Sequence, residues 1–138
     1  MMTGITLLEL IDYSDHDRAK WNAWFAVDPS RLNIPFQPGG RFPTIGALLD
    51  HVFLVERRHL SRLEGATPPD RTGVAPDDVA ALFEYGDLVR ADYRKFATEL
   101  DDAAARETLT VNVQSGPREM TRRRLAILCG MAMNAIVY

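Results

Sequence analysis

The chain has 138 residues, of which 46% are apolar and 25% are charged. This size and composition predict a single soluble domain over residues 1–138, with a core that needs no disulfide or structural metal. The formal net charge of −3 argues against a nucleic-acid partner. The one cysteine excludes an internal disulfide and indicates a reducing compartment, so we expect a cytoplasmic protein. No apolar stretch has the length of a membrane helix, and no membrane partner is predicted.

The first third of the chain predicts a helix followed by a long loop. Apolar residues recur at three- and four-residue spacing from about Ile5 to Val27, and Pro29 then stops the pattern. Residues 28–43 contain four prolines and the pair Gly39-Gly40, which predicts an irregular connection. A loop of this length is uncommon and hints at a connection that crosses one end of the fold or shapes a site.

Two further helices are predicted in the middle of the chain. Thr44 provides an N-cap for a helical apolar stripe that stops at Gly65. Pro76, followed by two aspartates, marks the first turn of a third helix, which runs to about Leu100.

The last part of the chain combines an extended segment with a helix. Residues 108–113 are β-prone and residues 115–117 have turn chemistry, which predicts a short strand or extended connector. A fourth helix would begin near Met120 or Thr121 and run to the C-terminus. The predicted fold class is therefore all-α, a four-helix bundle with a short extended connector between helices three and four.

Histidine is the residue type that best fits a metal site, and all three histidines precede residue 60. His51 lies at the edge of the apolar stripe of helix two, where it is either a core or interface residue or a ligand. Glu56 and His59 have the Glu-x-x-His spacing of half a di-iron site, but the chain has no second copy, so chance or salt bridging explains the pair better. His16 lies among aspartates on what we interpret as a solvated helix face.

Two other features allow chemistry but have simpler explanations. Cys129 lies in an apolar run without a local histidine, which is typical of a small inert core residue. The run Arg122-Arg123-Arg124 precedes the last apolar segment and could attract an anion. A solvated or acid-paired surface cluster is the simpler interpretation, because cations at the start of a helix oppose its dipole.

Several of these segments together resemble the DinB superfamily. They are residues 7–13 leading to Trp21, the loop end 42–45, and above all residues 44–60, with the sequence TIGALLDHVFLVERRHL. The similarity covers about residues 5 to 115. It implies a four-helix bundle with up-down-down-up topology, often a homodimer, in a family named from DNA-damage-inducible bacterial proteins.

The resemblance also implies a metal site. Members typically bind a divalent metal through one histidine of helix two and a His-x-x-x-His pair of helix four, and some are thiol-dependent transferases. His51 has the helix-two ligand position, whereas the last segment contains no histidine. Asn134 and Tyr138 share the spacing of the missing pair, but an amide and a phenol are weak ligands for zinc or nickel.

The ligand count leads to two hypotheses for function. The first is a DinB-like protein related to divalent-metal-dependent thiol transferases or hydrolases, with His51 as a remnant ligand and an incomplete metal site. The alternative is a non-catalytic dimeric bundle that binds a protein or an apolar small ligand, because Trp21, Trp24, Phe25 and the apolar C-terminal segment offer surface for contact.

Overall fold

The computed structural model describes residues 6–113 and 115–132. This part of the chain is mostly helical, with five α-helices and a small two-stranded sheet. The elements are α1 (Leu7–Val27), a 3₁₀ turn (Pro29–Asn33), α2 (Ile45–Leu63), α3 (Val79–Glu99), α4 (Asp102–Arg106), β1 (Thr108–Val113), β2 (Gly116–Thr121) and α5 (Arg122–Gly130).

Side-chain caps set the beginnings of the long helices. The Thr6 hydroxyl accepts a hydrogen bond from the Glu9 amide at 3.1 Å, and Thr44 does the same for Ala47 at the start of α2. The predicted cap of helix two is therefore confirmed. The predicted start of helix one, Ile5, lies outside the described residues.

The third helix begins later than the sequence predicts. Asp78 is its N-cap and accepts from the Ala81 amide at 3.0 Å, so Pro76 precedes the helix instead of lying in its first turn. An N-cap aspartate satisfies an amide that the helix itself leaves free, which explains why the boundary falls at Val79.

The predicted long loop contains local structure. Its 3₁₀ turn buries Leu32, and the amides of Phe36 and Gln37 donate to the carbonyls of Pro43 and Phe42. These hydrogen bonds fold the loop back on itself and bring it against the start of α2.

A β-hairpin occupies the place of the predicted extended connector, so the all-α fold class is wrong in this detail. β1 pairs antiparallel with β2, with Thr108 opposite Thr121 and Val113 opposite Gly116. The first strand is where the sequence predicts it. The second strand, which we did not predict, is polar and mostly exposed, and Gly116 begins it with φ of 109°.

The last helix starts where the sequence predicts and ends early. The Thr121 hydroxyl caps α5, and the amide of Met131 donates to the carbonyls of Ile127 and Leu128 as the helix ends after Gly130. The predicted uninterrupted helix is therefore wrong at Met131 and Ala132, which follow a glycine that weakens helix propagation. Residues 133–138 lie outside the described part.

The four longer helices pack in a ring of neighbouring pairs. α1 contacts α3, α3 contacts α2, α2 contacts α5, and α5 contacts α1. Across the described residues, no helix is long and apolar enough to cross a bilayer.

The apolar core forms two clusters, one towards each end of the packed helices. The first core cluster joins the start of α1, the ends of α2 and α3, the start of α5 and β1: Ile11, Leu60, Leu63, Val89, Tyr93, Ala97, Val111, Leu125, Ala126 and Cys129. The second core cluster joins the end of α1, the 3₁₀ turn and the starts of α2 and α3: Phe25, Leu32, Leu48, Leu49, Val52, Phe53, Val79, Leu82 and Phe83.

Candidate functional site

His51 lies on α2 beside the folded-back loop. Its ring is half-buried and packs against Phe42, with 4.7 Å between ring centroids and an interplanar angle of 39°. Burial lowers the pKa of His51 below its ordinary value, and the positive charges of Arg41 and Arg58 lower it further, against the opposing effect of Asp50. The imidazole is therefore held neutral in partly cationic surroundings.

The described residues around His51 do not fit a divalent cation. In residues 6–113 and 115–132, no three histidine, cysteine, aspartate or glutamate side chains come together as a ligand set. Asp50 accepts a hydrogen bond from the Thr72 hydroxyl at 2.5 Å, and two arginines oppose a positive ion. The other candidate ligands, Asn134 and Tyr138, lie outside the described residues.

The two residues of the Glu-x-x-His pair on α2 lie in different environments. Glu56 is 1% exposed and forms an ion pair with Arg18, with 2.6 Å between Nη1 and Oε1. His59 lies further along α2, where its Nδ1 is 3.3 Å from Nη1 of Arg62. Salt bridging therefore accounts for Glu56, as the sequence indicates, and the pair does not form a shared ligand set.

Glu56 belongs to a buried group that we call the polar layer, formed by Ser14, Arg18, Glu56 and Arg90. It separates the first and second core clusters along α1 and α2. The second carboxylate oxygen of Glu56 is 3.8 Å from Nη1 of Arg90. Burial raises the pKa of Glu56, and the two neighbouring arginines oppose that rise.

Arg90 connects the polar layer to α1. Its Nε donates to Asp15 at 2.9 Å, and its Nη2 donates to the Ile11 carbonyl at 3.1 Å and to the Ser14 hydroxyl. Asp15 also pairs with Arg94 at 2.8 Å. The acidic residues of α1 are therefore partly neutralised by α3, while His16 and Asp12 are exposed on the solvated face that the sequence indicates.

Three atoms of the polar layer have no hydrogen-bond partner among the described residues: Arg18 Nη2, Glu56 Oε2 and Arg90 Nη1. Each is enclosed within the protein, and the glutamate and Arg90 atoms face each other. The Arg18 guanidinium also lies over the Phe53 ring, 4.9 Å from its centroid. Enclosed charges of this kind define an ionic core more than a ligand site.

Cys129 lies on the other side of Glu56. The thiol is fully buried, and its sulfur is 3.4 Å from the Glu56 carbonyl, to which it donates. Burial raises the pKa of the thiol well above its usual range, and the negative charge of Glu56 adds to the effect. A protonated and enclosed thiol is a poor nucleophile, as the sequence predicts.

The arginine run at the start of α5 lies at the surface. Arg122 pairs with Glu107 at 2.8 Å, and Arg123 and Arg124 are exposed. The predicted solvated or acid-paired cluster is confirmed.

The aromatic residues of α1, which the sequence offered as a contact surface, differ in exposure. Phe25 is fully buried, whereas Trp24 is 40% exposed.

Sequence reasoning missed the two buried arginines. Arg18 falls on the α1 stripe that also carries Ile11 and Phe25, each seven residues away, and this spacing is the signal that could have identified it. Arg90 gives a similar signal three residues before Tyr93 on α3. A cation on an apolar stripe implies a buried anion, although sequence alone does not say which one.

The described residues form a small helical protein with two core clusters and a polar layer between them. No metal ligand set is present among these residues. A comparison with family models identifies the class, because the model of the DinB superfamily matches residues 14–130. The chain belongs to the DinB superfamily. The match extends through α5, further than the similarity to residue 115 that the sequence indicated. No curated protein and no solved structure matches the chain.

Proposed function

We propose that this chain is a DinB-superfamily protein related to divalent-metal-dependent thiol transferases or hydrolases, with an incomplete metal site. The observation that supports the proposal is the environment of His51, where an aromatic ring and two cationic side chains occupy the surroundings of the helix-two ligand position. A single imidazole holds zinc or nickel weakly, since stable sites use three or four protein ligands.

The proposed architecture is the up-down-down-up four-helix bundle of the family. The first core cluster collects the start of α1, the ends of α2 and α3, and the start of α5. The second cluster collects the opposite ends of α1, α2 and α3. These groupings support α1 and α5 running in one direction and α2 and α3 in the other.

Metal titration tests the proposal directly. Protein stripped of metal is dialysed against zinc or nickel, and the bound ion is counted by elemental analysis for the parent chain, His51→Ala and the control His16→Ala. We expect far less than one ion per chain in all three proteins. One tightly held ion per parent chain that His51→Ala loses and His16→Ala keeps would show that the site is complete.

A second candidate function is a non-catalytic homodimeric bundle. Tyr13, Trp24 and Val27 fall within about 60° of one another around α1, and they are 68%, 40% and 77% exposed. This apolar stripe supports a contact with a second copy of the chain. We also propose a cytoplasmic location, which the free, buried thiol of Cys129 supports.

Sedimentation equilibrium tests the dimer. We expect a dimer for the parent chain and a monomer for Tyr13→Lys combined with Val27→Lys. Leu88→Lys alters an exposed apolar residue of α3 and serves as the control that stays dimeric. A parent chain that sediments as a monomer at all concentrations rejects the dimer without affecting the metal proposal.

A further inference from the structure

A groove of about 920 Å³ runs between the second half of α1 and the first half of α3. It shares no lining residue with the surroundings of His51, so what it binds is independent of the proposed function. Apart from Asn22, its lining residues have two kinds of side chain, small or apolar groups on the floor and carboxylates on the rim.

The floor of the groove suits the close approach of another chain. Phe83 and Val79 form its buried base, and Ala26 and Ala80 are exposed beside them. Leu88 stands at the edge with 65% of its surface exposed. Because alanine side chains are small, the backbone of a partner can approach the floor closely while apolar side chains of the partner contact Leu88.

The rim of the groove is acidic on the α3 side. Asp77, Asp78, Glu84 and Asp87 all line it and are all exposed. None of these four carboxylates forms an ion pair within the described part of the chain, and no lysine or arginine lines the groove there. The negative potential over this apolar floor is complementary to a cationic partner.

The groove continues along the same two helices. A second stretch of about 430 Å³ shares Asn22, Phe83 and Asp87 with it and reaches Arg94. Three arginines line this stretch, and each is already paired with a carboxylate: Arg18 with Glu56, Arg90 with Asp15, and Arg94 with Asp12 and Asp15. This stretch is therefore close to neutral. From Val79 to Arg94 the groove follows about 22 Å of helix axis, which matches a partner helix of about 15 residues.

We infer that the α1–α3 groove binds an amphipathic helix of a protein partner, with alanine or leucine side chains on the floor and lysine or arginine side chains over the acidic rim. The acidic rim repels anionic lipid headgroups and nucleic-acid phosphates. The length and the apolar floor favour a helix over a small cation, because a small cation would use the rim alone.

A synthetic peptide tests the inference on the full chain. The probe is a fluorescein-labelled helical peptide of 16 residues, with leucine and alanine on one face and lysines beside it. Its partner probe carries glutamate in place of every lysine. Fluorescence anisotropy is expected to show saturable binding of the lysine peptide and no binding of the glutamate peptide.

Matched variants separate the groove from the general charge of the protein. Glu84→Lys and Glu99→Lys make the same charge change on α3, but Glu99 does not line the groove. We expect Glu84→Lys to weaken binding about fivefold or more, and Glu99→Lys to weaken it less than about twofold. Leu88→Ser should weaken binding too, whereas Leu128→Ser on α5 should not.

Three results would overturn the inference. The first is no binding of the lysine peptide, or equal losses for Glu84→Lys and Glu99→Lys, which would indicate net charge alone. The second is displacement of the peptide by spermine at an equal concentration of charge, because the apolar floor would then contribute nothing. The third is a dimer that Leu88→Ser converts to monomer, since a second copy would then occupy the groove.

Discussion

The Glu56 carboxylate is the anion of the polar layer, enclosed between the guanidinium groups of Arg18 and Arg90. Removing its charge leaves Arg18 buried and unpaired, which is costlier than losing a surface ion pair. We expect Glu56→Gln to lower the free energy of unfolding by about 3 kcal/mol in urea denaturation. Glu64→Gln at the C-cap of the same helix breaks a more exposed pair with Arg57 and should cost less than about 1 kcal/mol. Equal effects of the two variants would contradict this account.

His59 makes stability depend on pH. Burial, with Arg62 and Arg58 nearby, lowers its pKa from 6.5 to about 4, so the folded protein keeps the ring neutral where the unfolded chain protonates it. The unfolded state then binds more protons between these two values, and stability falls as the pH drops from about 6.5 towards 4. The loss attributable to His59 is on the order of 2–3 kcal/mol.

Urea denaturation at several pH values measures this loss. His59→Gln should flatten the decline of stability between pH 6.5 and 4, because the variant has no ring to protonate. His16→Gln changes an exposed histidine and should leave the slope as it is in the parent chain. A slope that His59→Gln leaves unchanged would show that other groups set the acid limit.

At the scale of elements, a glycine of α3 lets side chains of α1 and α2 pack closely against that helix. A Cβ on Gly86 would lie 2.5 Å from Nη2 of Arg18 and 2.6 Å from Cε1 of Phe53. We expect Gly86→Ala to destabilise the protein by about 2 kcal/mol, because overpacking outweighs the better helix propensity of alanine. Ala91→Gly on the exposed side of α3 measures the propensity term alone, about 1 kcal/mol. A Gly86→Ala protein more stable than the parent in thermal unfolding would rule out close packing here.

The elements predicted best are those that a local signal specifies. Thr44 caps α2, and the stripe that follows ends near Gly65, so the sequence contains both boundaries. β2 has no such signal, because Arg118 and Glu119 are exposed and the strand exists through its pairing with β1. Gly130, the last residue of α5, also meets a tertiary constraint that no local signal reveals, because a Cβ there would lie 2.9 Å from the Tyr93 hydroxyl oxygen.

For the molecule as a whole, the candidate site was harder to predict than the fold. His51 was identified because a histidine at the edge of an apolar stripe is visible in the sequence. The charges around it come from Arg41 in the loop and from Arg58, about two turns further along α2, and only the folded chain brings them together. The polar layer was missed for the same reason, because Arg18 and Glu56 are 38 residues apart.

The Arg18–Glu56 pair also joins α1 and α2, which are opposite members of the helix ring. Because neither charge is solvated, removing one leaves the other unpaired, whereas removing both leaves Arg90 with Asp15 as its counterion. We expect Arg18→Met and Glu56→Leu each to cost about 3 kcal/mol and the double variant to cost less than either. Urea denaturation of the four proteins gives the coupling energy. Additive losses would mean that the two helices are held together by the core clusters alone, and that the ion pair between them contributes no coupling.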